Sequence, residues 1–181
     1  MNINLIGMRG VGKSNVARRL SVLTKMPVMA TDVLIRYETG RTIPEFIAAH
    51  DGDWRTFRDL EYDVLGKLAG LDGVIIDCGG GIVVDVGPDG DEFYSERKVT
   101  RMRRLGPVVW LQGDVERLAA KVNADPDRPS LHANRTAIEI MQRRAPWYDR
   151  AADHRVFVHQ GLRQQVAEQL ALSFGLQGPT A

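Results

Sequence analysis

Eight consecutive residues, Gly7-Met8-Arg9-Gly10-Val11-Gly12-Lys13-Ser14, satisfy the pattern G-x-x-x-x-G-K-[ST] at every fixed position. The chemistry open to such a run is phosphate binding. Its glycines let the backbone turn N–H groups around a phosphate, the start of the next helix adds positive potential, and the lysine reaches the β and γ oxygens. Gly10, Val11, Gly12, Lys13, Ser14 and Asn15 are the expected grip on a nucleoside triphosphate, with the Ser14 hydroxyl on Mg²⁺. The alternative, a glycine-rich turn with an incidental Lys-Ser pair, is disfavoured by the flanks. A short apolar run precedes the loop and a helical pattern follows it, as the motif requires.

The rest of the chain is patterned to hold that loop rigid. Residues 3–6 read as a strand and 15–24 as a helix, with Val16, Ala17, Leu20 and Leu23 at helical spacing. A short strand is expected at 28–30, then a helix capped by Thr31 or Asp32. Helices are expected at 44–50 and at 54–71, where Phe57, Leu60, Val64, Leu65 and Leu68 share a face. The continuous apolar runs 74–76 and 108–111 suit strands buried on both faces. Helices at 115–122 (after Asp114), 136–145 and 164–174 and a strand at 156–158 complete the series. Strands alternating with helices predict an α/β three-layer sandwich with a five-stranded, mainly parallel sheet. The domain is expected to span 1–175, with a mobile lid at about 123–134 carrying Pro126 and Pro129, and a frayed tail at 176–181.

Composition narrows the class. The chain has 181 residues, enough for one domain with a real core, and 24 Lys+Arg against 23 Asp+Glu. That balance argues against a nonspecific nucleic-acid binder. Cys78 is the single cysteine, so no internal disulfide exists, and it is expected to be a small buried hydrophobe. The first apolar run ends too soon for a membrane span. The expectation is a cytoplasmic monomer with no membrane or nucleic-acid partner. The four histidines are scattered without partner spacing.

A phosphate loop leaves several nucleotide-dependent classes open. No N-K-x-D run is present to read guanine, and the chain is short for a motor, which leaves small-molecule kinases. Further motifs follow in order: Thr31-Asp32-Val33, Thr39-Gly40-Arg41-Thr42-Ile43, Phe57-Arg58-Asp59-Leu60-Glu61, Gly79-Gly80-Gly81, Arg128-Pro129 and Arg143-Arg144-Ala145-Pro146-Trp147-Tyr148. With the phosphate loop, their order and separations resemble the shikimate kinases as far as about Arg150. The resemblance implies a phosphate-loop kinase fold, ATP and Mg²⁺, and transfer to the 3-hydroxyl of shikimate, an anionic triol. It also implies roles. Arg58 and Arg144 look like the carboxylate-binding arginines, a task suited to planar guanidinium forks. Asp32 resembles the aspartate that binds the ring hydroxyls and orients or deprotonates the nucleophile. Gly79, Gly80 and Gly81 would let substrate approach the backbone. Arg128 resembles the lid arginine that folds over the nucleotide, forming with Lys13 and Asp32 the catalytic set. Lys121 falls where the family places a basic residue near adenine.

Two departures qualify the resemblance. Shikimate kinases usually carry an Asp-x-Asp pair at the end of the second strand, and the first position here is Ala30. Asp77, at the end of the third strand, is the candidate replacement, acting on Mg²⁺ through its water shell. The alternative for Asp77 is a strand-end carboxylate satisfied by backbone N–H groups. Second, residues 88–104 are longer than the family's counterpart, acidic at Asp89, Asp91 and Glu92 and basic from Lys98 to Arg104. Three readings fit: a solvated hairpin-like excursion, which is the favoured one, a partner surface, or an insertion that alters access to the acceptor site. Two other functions stay open: a kinase of the same fold acting on another acidic polyol, and a nucleotide-binding protein without transfer chemistry.

Overall fold

The computed structural model describes residues 1–124 and 135–176. In chain order the elements are β1 (Ile3–Ile6), α1 (Lys13–Thr24), β2 (Val28–Ala30), α2 (Thr31–Thr39), α3 (Ile43–Ala48), α4 (Arg55–Lys67), β3 (Ile75–Asp77), β4 (Val84–Val86), β5 (Glu92–Tyr94), α5 (Glu96–Leu105), β6 (Val108–Gln112), α6 (Val115–Asn123), α7 (Ala137–Ala151), β7 (His154–Phe157) and α8 (Arg163–Ser173). Five strands form one parallel sheet in the order β2-β3-β1-β6-β7. All four residues of β1 are buried, and successive strand residues point to opposite faces, so both faces of the sheet are covered. Helix α1 packs on α8 and β3, α5 on β1 and α4, and α7 on β6 and α6. Asn4, at the centre of the sheet, donates to Met102 O at 3.0 Å and Gly106 O at 2.8 Å and so ties the end of α5 to β1. No helix among the described residues is long and apolar enough to cross a membrane.

The sheet sets the site. Parallel strands β1, β2 and β3 all end at the same edge, and in register Ala30 lies opposite Asp77, which lies opposite Leu5. Loops leaving those strand ends therefore converge, as ligand sites in such sheets require.

Four expectations change. The N-cap of α2 is Ala30, because β2 runs straight into the helix; Thr31 and Asp32 lie in its first turn. The Thr31 hydroxyl accepts instead from Gly79 N at 2.8 Å, and Asp32 makes no cap hydrogen bond, which leaves it available to the cavity. Helix α7 continues through Pro146 to Ala151 rather than stopping at 145. Proline forfeits one helical hydrogen bond, but Arg144 and Tyr148 on either side both donate to Gly80 O and hold the two turns in line.

The largest change concerns residues 88–104. The hairpin is present as β4–β5, followed by α5, capped by Ser95, but the segment is only partly solvated. Asp85, Glu92, Ser95 and Lys98 are all buried. Polar composition normally marks surface, but here each charge meets an opposite charge from elsewhere in the chain, which offsets its desolvation. Finally, Leu176, placed in the frayed tail by sequence, packs on the core and donates its N–H to Ala171 O at 2.8 Å. The expected lid falls mostly on 125–134, which together with 177–181 lies outside the described residues.

Candidate active site

A cavity of about 430 Å³ opens at the strand ends, and two kinds of wall meet in it. One is the phosphate loop, which contributes Gly10, Gly12, Lys13, Ser14 and Asn15. Gly12 is the N-cap of α1 and adopts φ +102°, a conformation that L side chains rarely adopt. A Cβ there would also lie 2.7 Å from Arg163 Nε, so that side chain would have to shift. Lys13 Nζ folds back to Gly7 O at 2.9 Å. Val11 turns its side chain into the core. Lys121 reaches across from α6, its Nζ 3.4 Å from Gly10 O.

The opposite wall contains Asp32, Arg58, Glu61, Asp77 and the glycines 79–81, with Val33, Ile43, Pro44, Trp54 and Phe57 as an apolar side. Thus Lys13, Ser14, Asp32, Arg58, Asp77 and the glycine triplet, singled out along 69 residues of sequence from 13 to 81, face one cavity. The triplet is needed for close approach. A Cβ on Gly79 would meet Asp32 Oδ1 at 2.3 Å, and one on Gly81 would meet Arg58 Nη1 at 2.2 Å. Asp32 is open to the cavity, but surrounding protein and the charges of Glu61 and Asp77 push its carboxyl above the usual aspartate range, while Lys13 and Arg9 pull it down.

Behind this wall lies a buried ionic cluster. Arg58 Nη1 donates to Glu61 Oε2 at 3.1 Å, and Lys98 Nζ donates to the same oxygen at 2.7 Å and lies 3.5 Å from Asp85 Oδ1. Burial opposes ionisation of Glu61, but Lys98 and Arg58 outweigh it and hold the carboxyl below its usual range. Arg144 does not line the large cavity; its guanidinium fork is taken by Glu92, with Nε to Oε2 at 2.9 Å and Nη2 on Oε1. Glu92 is held ionised in the same way: burial raises its pKa, and Arg144, Arg58 and Arg143 lower it further than that. The Cys78 thiol is buried, which with the Asp77 charge pushes its pKa well up, consistent with a packing role.

Sequence reasoning missed Glu61 as a separate site residue, together with Arg9, Glu92, Lys98 and Arg163. Glu61 had a signal, three residues after Arg58 on a helix. The partners of Glu92 and Lys98 are 52 and 37 residues away, and no local pattern reports that. Arg128 lies outside the described residues.

The donor set fits the ligands expected of it. Ser14, Asp32 and Asp77 offer hard oxygen atoms beside a lysine, the kind of surroundings Mg²⁺ takes. Arg163 Nε is buried beside Gly12 without a hydrogen-bond partner, a spare donor next to the phosphate loop. No group of three or more His, Cys, Asp or Glu that could cage a metal occurs among the described residues, so a Mg²⁺ ion held there would also need phosphate oxygens and water as ligands.

Comparison with known proteins agrees with the geometry. The profile of the family described as shikimate kinase matches residues 9–173. A shikimate kinase of Leptospira biflexa is 40% identical over 178 residues, 98% of this chain and 97% of the relative. One from Leptospira borgpetersenii is 45% identical over 154 residues, 84% of this chain and 86% of the relative. Among solved structures, the shikimate kinase of Acinetobacter baumannii in complex with shikimate superposes with a TM-score of 0.79 at 27% identity, covering 96% of this chain and 93% of that one.

Proposed function

The chain belongs to the shikimate kinase family, and from that premise we propose that it transfers the γ-phosphoryl group of ATP to the 3-hydroxyl of shikimate. One observation carries the assignment of roles: a single cavity has a triphosphate grip on one wall and, on the other, a guanidinium and a carboxylate suited to an acidic polyol. The loop N–H groups and Lys13 hold the donor phosphates and balance charge as it moves to the bridging oxygen. Asp32 accepts from the acceptor hydroxyls and takes the proton from the attacking one. Its raised pKa brings its basicity closer to the working pH. Arg58 faces the acceptor carboxylate, with Arg144 completing that contact, and Gly79 to Gly81 let the ring lie against the backbone. Lys121, which lines the same cavity, borders the nucleotide, and Arg128 is assigned to stabilise charge on the transferring phosphoryl group. The protein acts as a monomer.

When bound, Mg²⁺ neutralises phosphate charge, held by Ser14 and, through water, by Asp77. Asp77 pairs in register with Ala30, which supports the reading that its carboxylate stands in for the one expected on β2. Asp77→Asn is expected to raise the Mg²⁺ concentration for half-maximal turnover; an unchanged requirement would assign Asp77 to the fold alone.

ADP release with ATP and Mg²⁺, with and without shikimate, tests the whole reading. Shikimate-dependent turnover that Arg58→Ala lowers through a raised KM supports it. ATP binding without shikimate-dependent turnover refutes it.

A further inference from the structure

Glu92 is a buried carboxylate set between Arg144 and Arg58. It stands at the start of β5, 6% exposed. Its two oxygens fill the Arg144 fork, and Oε1 also lies 3.8 Å from Arg58 Nη2. Both arginines expected to grip the acceptor thus already share a carboxylate from the chain. Around them Arg58, Lys98 and Arg144 face Glu61, Glu92 and Asp85, and Arg97 also binds Asp85 from the more exposed side. An acceptor anion arriving beside the intact cluster would find both guanidinium groups already paired, and a buried anion without a partner is costly.

Resting on the reading above, we propose that Glu92 is an internal stand-in for the acceptor carboxylate, filling the Arg144 fork when the site is empty and yielding it when shikimate binds. The backbone around Glu92 need not move. Arg143 Nη2 holds Glu92 O at 2.8 Å and Arg135 holds Asp91 at 2.7 Å, so β5 is staked to α7 and only the side chain rotates. Arg143, 35% exposed at its side chain and already beside Glu92, is the cation that receives the displaced carboxylate. The device keeps two buried guanidinium groups paired in the empty site and makes the acceptor's acid group compete for entry. Apparent affinity for an acid is then reduced by the fraction of molecules whose fork is free, whereas a neutral ester of the same ring, which forms no ion pair with the fork, gains little from its release.

Two experiments test this. In steady-state assays with shikimate and with its methyl ester, Glu92→Gln is expected to lower KM for the acid about 10-fold, the effect of a fork free in roughly a tenth of molecules, while changing KM for the ester less than about twofold. A purely structural role for Glu92 would instead raise both together, and that result, or an unchanged acid preference, overturns the proposal. The second experiment needs no variant. A crystal structure of the wild-type protein with shikimate is expected to show the acceptor carboxylate on Arg144 and the Glu92 carboxylate turned away; Glu92 still in the fork with shikimate bound overturns it. Wild-type turnover of shikimate in the same assay separates the two readings. Failure of the function shows as no turnover of shikimate by the wild type, and failure of this inference as turnover with Glu92 indifferent to the acid group.

Discussion

Lys98 is the residue whose removal the structure makes most costly. It is fully buried in α5, with Nζ 2.7 Å from Glu61 Oε2, 3.5 Å from Asp85 Oδ1 and hydrogen-bonded to Val84 O. At an effective dielectric constant of about 20, the Glu61 contact alone corresponds to about 6 kcal/mol of attraction, opposed by several kcal/mol of desolvation for each ion. The net value of the pair is therefore small, but breaking it is not. Lys98→Met leaves Glu61 with Arg58 alone and Val84 O without that donor, and losing one partner of a buried pair costs about 3–5 kcal/mol. Against a total stability of about 5–15 kcal/mol, that is a large fraction. Urea unfolding at pH 7 measures it, and at about 2–4 °C per kcal/mol the melting temperature is expected to fall by roughly 6–20 °C. Adding Glu61→Gln to Lys98→Met should recover part of the loss, since it removes the stranded charge. A loss below about 1 kcal/mol for Lys98→Met, or strict additivity in the double variant, would refute the reasoning and return Lys98 to the class of surface basic residues.

The other predictions concern the site and its pH dependence. Gly81→Ala places a methyl group 2.2 Å from Arg58 Nη1, so the guanidinium must leave Glu61; losing about 1.5–3 kcal/mol of charged hydrogen bonding should raise KM for shikimate at least 10-fold in steady-state assays. Lys13→Ala should lower kcat by about 10²–10³, as loss of one preorganised donor does, with KM for shikimate little changed. Asp32→Asn should lower kcat by about 10²–10⁴ while raising the melting temperature at neutral pH, because a carboxyl whose folded pKa is raised opposes folding once ionised. Glu61, Glu92 and Asp85 carry the opposite sign, with folded pKa values below ordinary ones. Their contribution is complete above the unfolded carboxylate range of about 4–4.5 and is lost as pH falls through that range toward the folded values. The urea midpoint should therefore drop between pH 5 and pH 3, and a flat profile would contradict it.

Much of this protein is legible in its sequence because the relevant signals are local. The phosphate loop occupies eight adjacent residues whose backbone needs do not depend on what packs around them, and Gly12 takes the left-handed conformation its type allows. Continuous apolar runs at β1, β3 and β6 announce strands covered on both faces, so the parallel sheet follows from hydropathy and spacing. Arg58 and Asp32 could be named from short motifs on elements whose type was clear. Tertiary structure alone decided the rest. Thr31 and Asp32 are not caps, because the strand runs into the helix with no loop between them. Residues 88–104 carry surface composition, yet the hairpin and α5 bury Glu92 and Lys98. Their charges are compensated chiefly by Arg144, Arg58 and Glu61, brought near by the fold from distant parts of the chain. Hydropathy registers that a side chain is charged; whether it is paired depends on where the chain returns, and that is set by the packing of α4, α5 and α7 around one sheet edge.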